Sequence, residues 1–250
     1  MSRAGTLYLI PSSLGAGTAM QVLPPSTLGV LARLTAFIVE DPRTARAFLK
    51  AAGYPHPLQD AEFQVCNEHT RASEIAGLLQ PLLDGRDCGL VSEAGCPAVA
   101  DPGAAVVRLA HAREVRVVPL VGPSAILLAL MTSGLEGQRF AFHGYLPVEA
   151  TRRRAALIEL ERDSRRERRT QMFIEAPYRN MQLLRAIFDA CRGDTLLCLA
   201  TDLTLATEAI GTRTIAEWKA RAPPALNRRP TVFLLCCEAA WSETVKSREV

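Results

Sequence analysis

Three carboxylates sit just past the ends of short apolar runs. Glu40 opens "EDPR" (residues 40–43), Glu93 stands inside "SEAGCPAVADPG" (92–103), and Glu175 opens "EAPYRN" (175–180). A carboxylate beside a bound hydroxyl can take its proton as that oxygen attacks an electrophile, which is general-base chemistry. Glu93 and Glu175 lead the candidates and Glu40 follows, with Asp41, Glu68 and His69 behind them. Two of these stretches also hold Arg43 and Arg179, whose guanidinium forks suit a phosphate or a carboxylate. In "NEHTR" (67–71), which holds His69, Asn67 and Thr70 suit a helix cap. The seven cysteines include no Cys-x-x-Cys pair and no cluster of zinc-ligand spacing. They read as small buried thiols in a reducing compartment, and no metal is expected.

Elements must hold these residues in place. Short apolar runs at Thr6–Ile10, Ala36–Val39, Cys88–Val91, Val115–Leu120, Phe140–Phe142, Thr170–Ile174, Thr195–Ala200 and Thr231–Cys236 read as strands. Helical patterns lie at Thr27–Leu34, Pro42–Ala52, Arg71–Leu83, Pro102–Arg113, Ser124–Ser133, Thr151–Arg162, Asn180–Cys191 and Thr214–Ala220. The alternation predicts an α/β architecture. Asp41-Pro42 and Asp101-Pro102 look like helix N-caps followed by proline at the first helical position. "GYLPVEA" (144–150) suggests a boundary, giving an N-terminal α/β domain over 1–143 and a C-terminal α/β domain over 144–250.

Four segments rich in Gly, Pro or Ser follow predicted strands: Pro11–Gly17, Ser92–Gly103, Val121–Ala125 and Glu175–Asn180. In open α/β sheets, ligands sit at the carboxyl ends of strands. Gly15-Ala16-Gly17 imitates a dinucleotide fingerprint, but Met20 occupies its third glycine position and Pro24-Pro25 interrupts the helix that should follow. The composition is that of a folded protein, with 48% hydrophobic and 22% charged residues and a net charge of +3. No apolar run approaches a membrane span or a secretory signal, so the protein is expected to be soluble and cytoplasmic.

Taken in order, the segments resemble motifs of the tetrapyrrole methylase superfamily. They are "LYLIPSSLG", "EDPR", "SEAGCPAVADPG", "LVGPSA", "FHGYLP" and "EAPYR", colinear over roughly residues 5–215. Within that superfamily the chain resembles the ribosomal RNA small subunit methyltransferase I branch, as a divergent paralogue. The first loop lacks the branch's Asn and Asp, Glu93 and Cys96 stand for Asp and Thr, and Tyr178 stands for His. The resemblance implies two α/β domains with S-adenosylmethionine held in the cleft between them, commonly in a homodimer. It implies cofactor contacts from Pro11, Glu93, Ala94, Gly95, Val99, Ser124, Ala125, Ile174 and Thr201, with the Gly95 backbone near the methionine moiety. Arg43, His69 and Arg179 would contact the substrate.

Methyl transfer from a sulfonium is an in-line displacement in which positioning does much of the work, and a hydroxyl acceptor gains further from a base. Residues 151–171 hold eight arginines against four acids, with Ala155, Leu157, Ile158 and Leu160 suggesting one buried face. Such a segment is either a solvated charged helix or a phosphate footprint for RNA. The reading favoured is an S-adenosylmethionine-dependent methyltransferase acting on RNA, with a ribosomal ribose 2′-oxygen as acceptor. The alternatives are methylation of a tetrapyrrole or other small molecule, and a non-catalytic cofactor-binding protein.

Overall fold

The computed structural model describes residues 4–237. The chain divides into two compact units, Met1–Ser124 and Ala125–Val250. In the first unit, strands β1 (Thr6–Ile10), β2 (Ala36–Val39), β3 (Glu62–Val65), β4 (Cys88–Val91) and β5 (Arg116–Pro119) form a parallel sheet in the order β3-β2-β4-β1-β5. Side chains alternate between its two faces, as a two-residue period requires. Leu7, Ala36, Ile38, Cys88 and Leu90 meet helices α4 (Ala72–Leu78), α5 (Gln80–Leu83) and α6 (Ala104–Ala112) on one face. Ile10, Phe37, Val39 and Val91 meet α1 (Ala19–Val22), α2 (Pro25–Leu31) and α3 (Pro42–Ala51) on the other. Both faces are therefore covered, the usual state of a parallel sheet.

The second unit has a mixed sheet. Its strands are β6 (Phe140–Tyr145), β7 (Thr170–Ile174), β8 (Thr195–Thr201), β9 (Ala209–Thr214) and β10 (Thr231–Cys237), in the order β6-β7-β10-β8-β9. β6 and β7 run parallel and the remaining pairs antiparallel. β10 is central and buried at every residue. Helices α8 (Ala150–Glu167), α9 (Asn180–Ala190) and α10 (Ile215–Lys219) supply Leu157, Leu160, Leu183, Ile187, Ile215 and Trp218 to the core around Phe173 and Phe233. Helix α7 (Ala125–Ser133) packs on β8, β9 and β10, and Thr212 Oγ1 donates to the Ser133 carbonyl at 2.7 Å. So α7 and β6, assigned to the N-terminal domain on sequence, pack with the second sheet. Residues 238–250 of the proposed C-terminal domain lie outside the described residues.

Several boundaries differ from the sequence reading, each for a local reason. The helix expected over Arg71–Leu83 is two helices, because Pro81 has no N–H to give the carbonyl of Gly77. Asp41 caps α3 as expected, accepting from Arg43 N at 2.7 Å. Asp101 does not cap a helix at Pro102. Its Oδ1 accepts from Ala98 N at 2.7 Å and Gly103 N at 2.8 Å, and α6 starts only at Ala104. Strands β3 and β9 had no counterpart in the sequence reading. Both are edge strands with a half-exposed, mixed composition, so their apolar signal is weak.

Candidate functional site

The connections leaving β1 and β2 pass over one face of the first sheet, and the connection leaving β4 passes over the other. β4 is flanked by β1 and β2, so both of its sides are topological switch points, where ligands of open α/β sheets settle. The long loop Ser92–Gly103 leaves β4 at this place. A two-bond bridge ties it to the end of β1: Ser12 N donates to Gly95 O at 3.0 Å and Gly95 N to Ser12 O at 3.2 Å. Ser12 Oγ donates to the Ser92 carbonyl (2.8 Å) and Ser92 Oγ to that of Gly95 (2.7 Å). Both serines are buried, so each hydroxyl needs such a partner. Gly95 therefore has its N–H committed to Ser12. Gly95 is the joint of the two strand ends.

The loop's second half is bent by Asp101, and Ala98 and Ala100 have φ of 63° and 61°. Left-handed backbone costs a non-glycine residue about 1 kcal/mol or more and is found preferentially at functional sites. Between these alanines Val99 is turned outward, 49% exposed. The end of β5 closes on β1 from the other side. A Cβ on Gly122 would lie 2.5 Å from Pro11 Cβ, so only glycine permits this approach. Thr27 Oγ1 holds the Val121 carbonyl at 2.7 Å and Cys96 Sγ reaches the Pro123 carbonyl at 3.6 Å.

The acids gather on the other switch point. Glu40 at the end of β2 accepts from Glu93 N at 3.4 Å, and Thr44 Oγ1 donates to Glu93 Oε1 at 3.2 Å. Val39, Glu40, Asp41, Thr44, Phe48, Ser92 and Glu93 enclose a recess of about 20 Å³, room for a single water. Burial raises the Glu40 carboxyl above its usual range, and the nearby charges of Asp101, Glu93 and Glu68 push the same way against the one backbone hydrogen bond. Burial likewise raises Asp101. Arg43 is exposed at the start of α3. His69 is highly exposed, 3.6 Å from Glu68, and the Asn67–Thr70 turn holds its backbone.

Ala125, Ile174, Glu175, Arg179 and Thr201 belong to the second unit. The Glu175 side chain is 1% exposed, and one oxygen takes three donors: Ala176 N (2.7 Å), Arg179 Nε (3.0 Å) and Arg179 Nη2 (2.7 Å). A carboxylate so occupied holds an arginine in place. Thr201 Oγ1 lies 3.1 Å from Thr231 Oγ1, both buried. Beyond β8, Asp202 and Thr204 have φ of 51° and 69°, and Asp202 Oδ2 accepts from Arg229 Nε (2.8 Å) and Thr207 Oγ1 (2.7 Å). Ser12, Thr44, Asp202 and Arg229 are not among the residues expected from the sequence. Ser12 stood in the quoted "PSS". The Asp202–Arg229 pair spans 27 residues and leaves no local pattern.

Known proteins share this architecture. The methyltransferase CobJ aligns over 92% of this chain and 94% of its own, with a TM-score of 0.61 and 17% identity. Cobalt precorrin-4 methyltransferase, CbiF, covers the same shares with a TM-score of 0.60 and 15% identity. The two sheets thus define a mixed α/β fold of the tetrapyrrole methyltransferase kind. No family model matches the chain. Among curated proteins, ribosomal RNA small subunit methyltransferase I of Pseudomonas aeruginosa is 34% identical over 214 residues, 86% of this chain and 72% of that protein. The same-named proteins of Xylella fastidiosa (33%, covering 96% and 84%) and Escherichia coli O157:H7 (31%, covering 94% and 78%) agree. The chain belongs to the ribosomal RNA small subunit methyltransferase I family. It is a methyltransferase, and methyltransferases of this family take the methyl group from S-adenosylmethionine.

The residues present suit that donor. A sulfonium and an ammonium are cations, and the strand ends of the first unit carry Glu40, Asp41, Glu93 and Asp101. The strained loop presents apolar Val99 outward, while Gly122 allows the β1 and β5 ends to close up. Among the described residues, no helix is long and apolar enough to cross a membrane.

Proposed function

We propose that this protein transfers a methyl group from S-adenosylmethionine to ribosomal RNA of the small subunit, at a ribose 2′-oxygen, as a cytoplasmic homodimer. The observation that carries the reading is the 31–34% identity to enzymes named for that RNA, over most of the chain. The strand-end loops are the proposed cofactor contacts: Pro11, Glu93, Ala94, Gly95, Val99, Ser124 and Ala125, with Ile174 and Thr201 from the second unit. Arg43, His69 and Arg179 are the proposed substrate contacts. Held there, S-adenosylmethionine would supply an activated methyl group to the ribose hydroxyl and would leave as S-adenosylhomocysteine, and the hydroxyl proton would pass to a base. Glu40 is the candidate base that its surroundings favour, since burial raises its proton affinity. Glu93 is exposed and bonded to Thr44, and Glu175 is committed to Arg179.

The test is transfer of labelled methyl from S-adenosylmethionine to small-subunit ribosomal RNA and, in parallel, to tetrapyrrole precursors, followed by nucleoside digestion and mass spectrometry. A 2′-O-methylnucleoside is the expected product. Label on a base, or in the tetrapyrrole arm alone, would overturn the proposed acceptor.

A further inference from the structure

Two tyrosines of the second unit are far more exposed than their size warrants: Tyr145 at 61% and Tyr178 at 66%. Each is held by built structure. Tyr145 ends β6 just past a bulge, where Phe142 pairs with Met172 and Tyr145 with Ile174, so that His143 and Gly144 together oppose Phe173. Gly144, at φ +63°, supplies the left-handed step, and such bulges re-aim the side chains that follow. Tyr178 rides on a single 3-10 turn, Pro177–Arg179. That turn is fixed from outside: Arg228 N donates to the Pro177 carbonyl at 3.0 Å, and the fully buried Asn180 donates through Nδ2 to the Arg229 carbonyl at 2.7 Å.

Arg179 is oriented by buried Glu175, and its guanidinium carbon lies 5.2 Å from the centre of the Tyr178 ring. Tyr145 neighbours the same strand end through its pairing with Ile174. The charge of Arg179 is matched by that of Glu175, so the cluster offers little net attraction to a phosphate. What it offers is aromatic surface on backbone that is already ordered, and a flat π-system stacks on such a surface irrespective of its sequence.

Resting on the RNA reading above, we infer that Tyr145 and Tyr178, with the Glu175-held Arg179 beside them, form a stacking platform for an unpaired nucleobase of the RNA substrate. The platform distinguishes single-stranded from paired RNA, because a base within a duplex has no free face to give.

The test uses the full chain and two single-stranded probes about 12 nucleotides long, within the span of known single-strand sites. One is ordinary RNA; the other is an abasic ribose-phosphate strand with the same charge. By fluorescence anisotropy, Tyr178→Ala and Tyr145→Ala should each weaken RNA binding about tenfold and leave abasic binding unchanged. Tyr178→Phe and Tyr178→Trp, which keep the ring, should retain wild-type affinity. Equal losses on both probes, no loss on RNA, or a wild type that binds the two probes alike would overturn the platform. Labelled transfer to small-subunit ribosomal RNA is run on the same samples. Wild-type transfer with indifferent tyrosine variants discards the platform alone, whereas absence of transfer to RNA by the wild type discards the RNA reading. Both side chains are largely exposed, so the alanine variants should melt as the wild type does.

Discussion

Glu40 and Glu175 show how burial sends one residue type to different ends. Glu175 is the more buried, and three donors on one oxygen give it the work of orienting Arg179. Burial raises the proton affinity of Glu40, and its acidic neighbours add to this against one long backbone donor. A carboxyl whose folded value lies above its ordinary 4.5 is disfavoured as an anion in the native state. Its cost to stability is absent at low pH, sets in as pH passes 4.5, and is complete above the folded value. Glu40→Gln should therefore leave melting near pH ~4 almost unchanged and raise the melting temperature near pH ~7. As the proposed base, its loss should lower methyl transfer by about 10²- to 10⁴-fold. Calorimetry at the two pH values with single-turnover rates checks both; an unchanged rate would remove Glu40 from the chemistry. Glu93 and Glu175 ranked first on sequence because they stand in matched motifs. Position along the chain does not reveal that Arg179 occupies one and Thr44 the other.

At the scale of elements, α8 shows where pattern and packing part. Its buried stripe is Arg153, Leu157, Leu160, Glu161 and Ser164, a helical spacing that admits two charged residues, while Ala155 and Ile158 face outward. Arg153 donates to the Val148 carbonyl at 2.9 Å, and Glu161 is held by Thr195 Oγ1 and Arg192 N. Such polar anchors break an apolar count, so the sequence reading placed the buried face partly wrong. Ion pairs of Arg162 with Glu159, Arg165 with Asp194, and Arg166 and Arg169 with Asp163 match part of the arginine charge with nearby acids. Exposed Arg152 and Arg154 are left as the better phosphate ligands. The double change Arg152→Gln with Arg154→Gln should flatten the log–log salt dependence of RNA binding by about 0.7 for each phosphate no longer neutralised. Arg153→Gln should instead lower stability and leave the slope alone. An unchanged slope in the double variant would make α8 a solvated helix. The central strands were legible, because burial on both faces writes an unbroken apolar run. The edge strands β3 and β9 were not, because their half-exposed faces admit Glu62, Gln64 and Arg213.

The whole molecule has separate cores, one around Phe173 and Phe233 and two on the faces of the first sheet. Units with their own cores can melt independently, and then a single unfolding transition is not guaranteed. The proposed cofactor contacts come from both units: Pro11, Gly95 and Val99 from one, Ile174 and Thr201 from the other. A ligand that binds only when both units are native stabilises them jointly by RT ln(1 + [L]/Kd), about 2.7 kcal/mol at a hundredfold excess over Kd. Saturating S-adenosylhomocysteine should therefore raise and merge the transitions seen by calorimetry. A shift in the first transition alone would confine the cofactor to the parallel sheet and strike Ile174 and Thr201 from its contacts. The same scans test the homodimer. Unfolding of a dimer to monomers is a mass-action equilibrium, so its midpoint should climb with protein concentration over the micromolar range, whereas a monomer's stays fixed.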